Sequence, residues 1–386
     1  MNNTNDLVRW TSIVGARPQF IKLAPICRAI AAHNQSGRYP QIEHSIIHTG
    51  QHYDSAMADL FFVQLGIPEP CYNLRVGSGT HAEQLARMTE RLEPILAREP
   101  IDRVIVYGDT NSTLAGALVA TRLEIPAAHV EAGCRSHNWS MPEEQNRVIT
   151  DHLCDILLAP CRSAVENLER EGIGVARDPR KRKVTEVGDV MFDALLANLA
   201  VAEVYAELNM RTLGLEAGQY YLLTLHRSEN TDKSERLASI LSTLEDLALP
   251  VVFPVHPRTL RVVNEMKLNL SGGNIRAIAP VGYLDMLMLT KHARKVLTDS
   301  GGVQKEAFYL GVPCVTLREE TEWPETVEAG ANRLTGVDRT SIIRAVEQPY
   351  ADFRKTASPF GYGKASEQVV GELLRGHAED CRHAAD

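Results

Sequence analysis

The sequence predicts an α/β protein with two doubly wound parallel sheets, and three observations predict it. Short apolar runs alternate with helical patterns from end to end, which is β-α-β order and implies parallel strands. At 386 residues the chain exceeds one small core and suggests two domains. The alternation is interrupted by a basic segment at 175–183 and then starts again.

In order, Trp10–Val14 has strand character, and Pro18 to Ala32 has helical spacing with Pro18 near the first helical position. Glu43–His48 repeats the strand pattern and Asp54–Leu65 the helical one. A long helix is expected over His81–Arg98, followed by strands at Arg103–Tyr107, Ala127–Glu131 and Ile156–Ala159. The basic run up to Lys183 reads as a solvated loop more readily than as an anion patch. A second series follows at Tyr220–Leu225, Val251–Val255, Ile275–Ala279, Lys295–Thr298 and Pro313–Leu317. The boundary is therefore expected near Gly188-Asp189, with a last helix over about Ala365–Leu374.

Composition narrows the function classes. Hydrophobic residues make up 44% and charged residues 23%, as in an ordinary soluble globular protein. A formal net charge of −8 argues against a general nucleic-acid surface. No apolar run approaches the length of a membrane helix, and the first residues lack a signal-peptide pattern. The seven cysteines are scattered and form no C-x-x-C pair, so neither a disulfide framework nor a zinc pattern is expected. Together these features predict a cytoplasmic protein.

Three acidic residues carry the chemistry of the first half. Asp109 follows the apolar run Val104 to Tyr107, Glu131 closes the next strand, and Glu143 lies in Met141-Pro142-Glu143-Glu144. Side chains at the carboxyl ends of parallel strands face a ligand crevice, where a carboxylate suits proton transfer or stabilisation of a cation. Arg17 and Lys22 flank the first strand-to-helix turn, and Arg17 can hold a phosphate bidentately. No G-x-G-x-x-G follows that strand, which weighs against an NAD enzyme. The near match Gly77–Ala82 lies after no clear strand and reads as a loop and helix cap.

In the second half, Thr298-Asp299-Ser300-Gly301-Gly302 joins a strand to a helix. Backbone N–H groups at such a helix start make an anion site. Ser300 can add a hydroxyl to that site or cap the helix, and the motif leaves both open. Glu306, one turn further, can accept from ribose hydroxyls or face solvent. His226 and His256 follow strand ends, His226 with the stronger case for function. No close His spacing suggests a metal site.

Eight strings resemble one family, the non-hydrolysing UDP-N-acetylglucosamine 2-epimerases. They are HTGQHYD (48–54), VYGDTNSTLAGAL (106–118), HVEAG (129–133), MPEEQNR (141–147), HRSENTD (226–232), TDSGGVQKEA (298–307), LREETEWPE (317–325) and FGYGKAS (360–366), in order over about 10–375. The resemblance implies two Rossmann-like domains of the glycosyltransferase-B type with an active-site cleft between them. The first would cover 1–188, with the final helix, 365–386, packing back on it, and the second 189–364. It also implies a homodimer and a UDP-sugar substrate. By motif, Asp109, Glu131, Glu143 and His226 match the catalytic residues, and Arg17, Lys22, Ser300, Gly301, Gly302, Glu306 and Arg318 match UDP-binding positions. The family's route, elimination of UDP to a 2-acetamidoglucal and re-addition, needs no metal or redox cofactor. A glycosyltransferase of the same fold, or a non-catalytic sugar-nucleotide sensor, would not need the whole carboxylate-plus-histidine set.

Two departures from the family pattern bear on substrate and regulation. Gln19 stands where common bacterial members have Glu, and the Ala16–Lys22 segment resembles members acting on a UDP-2,3-diacetamido-glucuronic acid. That puts the C3 and C6 substituents of the sugar in question, not the reaction. Asp54 replaces the second of two glutamines with which many members bind an activating substrate molecule, so the resemblance implies an incomplete activator site.

Overall fold

Apolar strands that cannot bury both faces alone are covered by helices in two parallel sheets, one in each of two compact units. The computed structural model describes residues 7–51, 62–255, 257–266, 270, 273–355 and 358–383. Asp54 and His256 lie outside the described residues, as does the helix expected at Asp54–Leu65 apart from 62–65. The first unit comprises Met1–Leu196 and Ser358–Asp386, the second Ala197–Ala357. The division therefore falls at Leu196, inside the helix Val190–Thr212, beyond the break expected at Gly188.

In the first unit the strands are β1 (Leu7–Val14), β2 (Gln41–His48), β3 (Tyr72–Asn73), β4 (Arg103–Tyr107), β5 (Ala127–Val130), β6 (Ile156–Ala159) and β7 (Lys183–Glu186). Their order is β3-β2-β1-β4-β5-β6-β7, all parallel. The order reverses between β1 and β4, so their carboxyl ends open the crevice where doubly wound sheets bind ligands. Beneath it, Ile13, Val104 and Val106 pack against Met88, Leu92 and Leu96 of the helix His81–Arg98. Thr80 and Glu83 form a capping box at the start of that helix, which accounts for the Gly77–Ala82 motif without a dinucleotide.

The last helix, Ala365–His383, belongs to the first unit and runs beside the helix Arg17–Gln35. Its start is capped by Asp193, which accepts from the backbone N–H of Ala365 and Ser366 at 3.1 and 2.7 Å. Near its end Asp380 pairs with the buried Arg103 at 2.5 Å. The basic run is matched by carboxylates inside and outside it: Arg182 pairs with Asp178, Arg180 with Asp155 and Lys183 with Glu372.

The second unit repeats the plan with β8 (Tyr221–Thr224), β9 (Val251–Pro254), β10 (Ile275–Ile278), β11 (Lys295–Thr298), β12 (Cys314–Thr316) and β13 (Asn332–Leu334). The order β10-β9-β8-β11-β12-β13 reverses between β8 and β11. Leu223, Phe253, Leu297 and Val315 meet Leu237 and Leu241 of the helix Ser234–Glu245 in its core. No described helix is long and apolar enough to cross a membrane.

Candidate active site

Both switch points carry the polar residues that the sequence singles out. In the first unit β4 runs through five buried residues and is followed by Gly108, whose φ of 62° turns the chain into Asp109. The left-handed backbone at 108 favours glycine, and a side chain there would crowd the Lys22 ammonium at 2.8 Å. Just past the next strand, Glu131 itself adopts a left-handed φ of 73°, an uncommon conformation for glutamate that tends to occur at functional sites.

These residues are brought together through ion pairs. Lys22, from the first helix, donates to Glu131 at 2.5 Å with both side chains buried. Asp109 pairs with Arg147, which also donates to Glu144 at 2.7 Å. About a quarter of the Asp109 side chain (27%) stays open. Burial works against its charge, but Arg147 and Lys22 outweigh both that and the nearby Glu131, and they hold its carboxyl below the usual range. Asp109 is thus a carboxylate at neutral pH, with Arg147 and Lys22 close by to balance its charge.

Glu143 lies in the first turn of the helix Pro142–Leu153 and is half-buried. Its neighbour Glu144 is buried and works on the chain instead: it accepts from the Ser136 and His137 backbone N–H groups at 2.9 and 2.8 Å and from the Ser136 hydroxyl. Burial opposes the Glu144 charge, yet those N–H groups and Arg147 pull its carboxyl below the usual range. Asn146 donates to the Asp109 backbone carbonyl at 3.0 Å. The helix therefore presents Glu143 while Glu144, Asn146 and Arg147 secure the loops around Asp109.

Below the carboxylates lies a fully buried network. His129 on β5 meets the Gly108 carbonyl through Nε2 and Asp151 through Nδ1, both at 2.7 Å. Asp151 also pairs with Arg135 at 2.7 Å and accepts from the Gly133 backbone. Sequence reasoning did not single out His129, Asp151, Arg147 or Asn146. Three of them, His129, Asn146 and Arg147, sit inside strings whose acidic members carry the reading.

In the second unit His226 follows β8, with its ring partly open. Asp299, fully buried at the end of β11, accepts from the His226 and Arg227 backbone N–H groups at 3.2 and 3.0 Å. It also faces His226 Nδ1 at 3.5 Å and accepts from Asn230 Nδ2 at 3.1 Å. One buried carboxylate thereby fixes the orientation of the histidine. Ser300 sits at the N-cap of the helix Gly301–Tyr309, but its hydroxyl makes no capping bond, so the helix start is open to an anion. Gly301 is tightly enclosed: a Cβ there would come within 3.1–3.2 Å of the Trp323 and Glu322 side chains. Glu306 is buried rather than solvent-facing.

Arg318 and Lys22, which the resemblance matches to UDP-binding positions, are both buried and paired. Arg318 is buried among carboxylates, paired with Glu322 at 3.0 Å and near Glu320 and Glu229. Lys22 is buried against Glu131. A hollow of about 470 Å³ lies at the opposite, amino end of the first sheet, near Arg103, Arg180 and Lys183. Those cations are paired with carboxylates. Among the described residues no three His, Cys, Asp or Glu side chains gather as a metal site.

A sequence model of the UDP-N-acetylglucosamine 2-epimerases matches residues 34–374. The chain belongs to that family. The UDP-N-acetylglucosamine 2-epimerase of Methanocaldococcus jannaschii is 46% identical over 380 residues, covering 96% of this chain and all of the relative. The UDP-2,3-diacetamido-2,3-dideoxy-D-glucuronate 2-epimerase of Pseudomonas aeruginosa is 43% identical, over 94% of this chain and 99% of that enzyme. Among solved structures, the M. jannaschii epimerase in complex with UDP-GlcNAc and UDP matches with a TM-score of 0.86 at 44% identity, over 95% of this chain and 100% of that one. The family member described here has the same α/β architecture, of the glycosyltransferase-B type.

Proposed function

We propose that the protein is a non-hydrolysing UDP-N-acetylglucosamine 2-epimerase, interconverting UDP-GlcNAc and UDP-ManNAc. The observation that carries this reading is the charge-balanced carboxylate pair, Asp109 with Arg147 and Glu131 with Lys22, at a switch point of a chain of this family. Inverting C2 means removing a proton that is not acidic by itself. Loss of UDP makes the removal possible: the C1–O bond breaks with its electron pair leaving on the diphosphate. A base takes the C2 proton, and a 2-acetamidoglucal remains. Re-addition of UDP with a proton delivered to the other face gives the epimer.

Asp109, Glu131 and Glu143 supply the base and the negative charge that stabilises an oxocarbenium-like C1. His226, oriented by Asp299, and Arg17 offset charge on the departing diphosphate. Ser300, Gly301 and Gly302 offer it a helix N-terminus, and Glu306 accepts from the ribose. Lys22 acts through Glu131, and Arg318 through the carboxylates that surround it. The enzyme is further read as a cytoplasmic homodimer.

A second reading keeps the reaction and changes the sugar. The P. aeruginosa relative favours it, because its substrate carries a 3-acetamido group and a C6 carboxylate. One experiment separates the readings: incubation with each UDP-sugar in D2O, followed by NMR. The epimerised sugar should carry deuterium at C2 in both epimers, and only the true substrate should react. Product that keeps its original C2 hydrogen would sink the elimination route.

The UDP contacts are tested by calorimetry. Arg17→Ala should weaken UDP binding by roughly 1–3 kcal/mol through loss of charge-assisted hydrogen bonds, and Ser300→Ala by less. Unchanged affinity in both variants would place the diphosphate elsewhere.

A further inference from the structure

We infer that Gln19 is a positioning residue whose side-chain amide ties the turn carrying Arg17 to the strand end carrying Asp109. The inference rests on the epimerase reading of that site. The β1–β4 ladder pairs Trp10 with Arg103 through to Ile13 with Val106. Past that point the two chains part into their loops, and Gln19 bridges the gap. Its Oε1 accepts from the Gly15 and Ala16 backbone N–H groups at 2.7 and 3.1 Å. Its Nε2 donates to the Tyr107 carbonyl and to Thr113 Oγ1, both at 3.1 Å.

Two donors meet one end of the amide and a carbonyl meets the other, so the orientation of the group is set by its partners. Thr113 extends the same node. Its hydroxyl donates to Tyr107 O at 2.7 Å and accepts from Thr110 N at 3.1 Å, so the residues on either side of Gly108-Asp109 are both held. Gln19 itself is fully buried. It therefore cannot touch a sugar substituent, and the Gln-for-Glu departure does not read C3 or C6 directly. An ionised carboxylate in its place could still accept from Gly15 and Ala16, but it would oppose the Tyr107 carbonyl. A protonated one could donate to that carbonyl and restore the tie.

The test is Gln19→Glu, with kcat and KM for the UDP-sugar measured from about pH 5 to 8 and each value divided by wild type at the same pH. The kcat ratio should be near one at the acid end and fall by roughly 10-fold as the introduced carboxyl ionises, with KM changing less. Thr113→Val should lower kcat in the same direction, with no new pH dependence. Hydrogen exchange read by mass spectrometry gives a readout independent of turnover. Segments 15–17 and 107–110 should both lose protection in Gln19→Glu at pH 8 and regain it at pH 5. Wild-type kcat at every pH, or a loss that is flat with pH and matched by loss of folded protein, would overturn the inference. If wild type turns over no UDP-sugar, the epimerase reading fails, and the exchange result alone then decides whether the tie exists.

Discussion

Asp109→Asn, Glu131→Gln and Glu143→Gln are each expected to lower kcat by at least about 10²-fold, the usual scale for losing an acid–base or charge-stabilising group. The three variants should not behave alike in other respects. Glu131→Gln leaves the Lys22 ammonium buried without its carboxylate, so a stability loss should accompany the activity loss. Asp109→Asn is milder for the fold, because Arg147 keeps Glu144. Glu143, half-buried at the start of its helix, should give the cleanest separation of chemistry from folding. Steady-state kinetics beside thermal unfolding of each variant checks this. Turnover near wild type in any of them would remove that residue from the catalytic set.

The parallel sheets were legible because buried parallel strands read as continuous apolar runs. Arg103–Tyr107, for example, is buried throughout and coincides with its expected range. The strands that escaped notice are β3, β7 and β13, and each lies at a sheet edge. An edge strand is half-solvated and tolerates charge, so its pattern is weak. In β7, Lys183 and Glu186 flank only two residues, and the strand was hidden at the end of the basic run.

The candidate site was legible where glycine and acid mark a strand end, as at Gly108-Asp109 and Thr298–Gly302. Pairings were not legible, because they join residues far apart in sequence: Lys22 with Glu131, Arg147 with Asp109, His129 with Asp151. Glu306 shows the limit of spacing arguments. As a lone helix glutamate it reads as solvent-facing, yet packing in the second unit buries it. Glu143 and Glu144 show another. Two adjacent glutamates leave one helix in different directions, and only the fold separates the half-buried Glu143 from the buried Glu144 that holds loop backbone.

Asp151→Asn should be among the most destabilising single changes in the first unit, by about 3–5 kcal/mol, as when one partner of a buried ion pair is removed. Asp151 is fully buried and serves His129, Arg135 and the Gly133 backbone at once. The neutral amide would leave Arg135 with the partly exposed Glu171 and the Cys134 carbonyl, and would set an N–H against either the guanidinium or the imidazole. Burial opposes the Asp151 charge, but Arg135 and His129 outweigh it and hold its carboxyl below the usual range. A carboxyl with a depressed folded pKa contributes stability above its unfolded value near 3.9, and that contribution is lost as pH falls through the folded one. The gap between wild type and variant should therefore be full at pH 7 and at pH 5, and close only below about pH 4. Because His129 also holds the Gly108 carbonyl beside Asp109, folded variant should lose turnover as well. Urea unfolding of both proteins at pH 7, 5 and 3.5 measures the gap. A difference under about 1 kcal/mol at pH 7 would mean that the buried network contributes no more than an exposed pair.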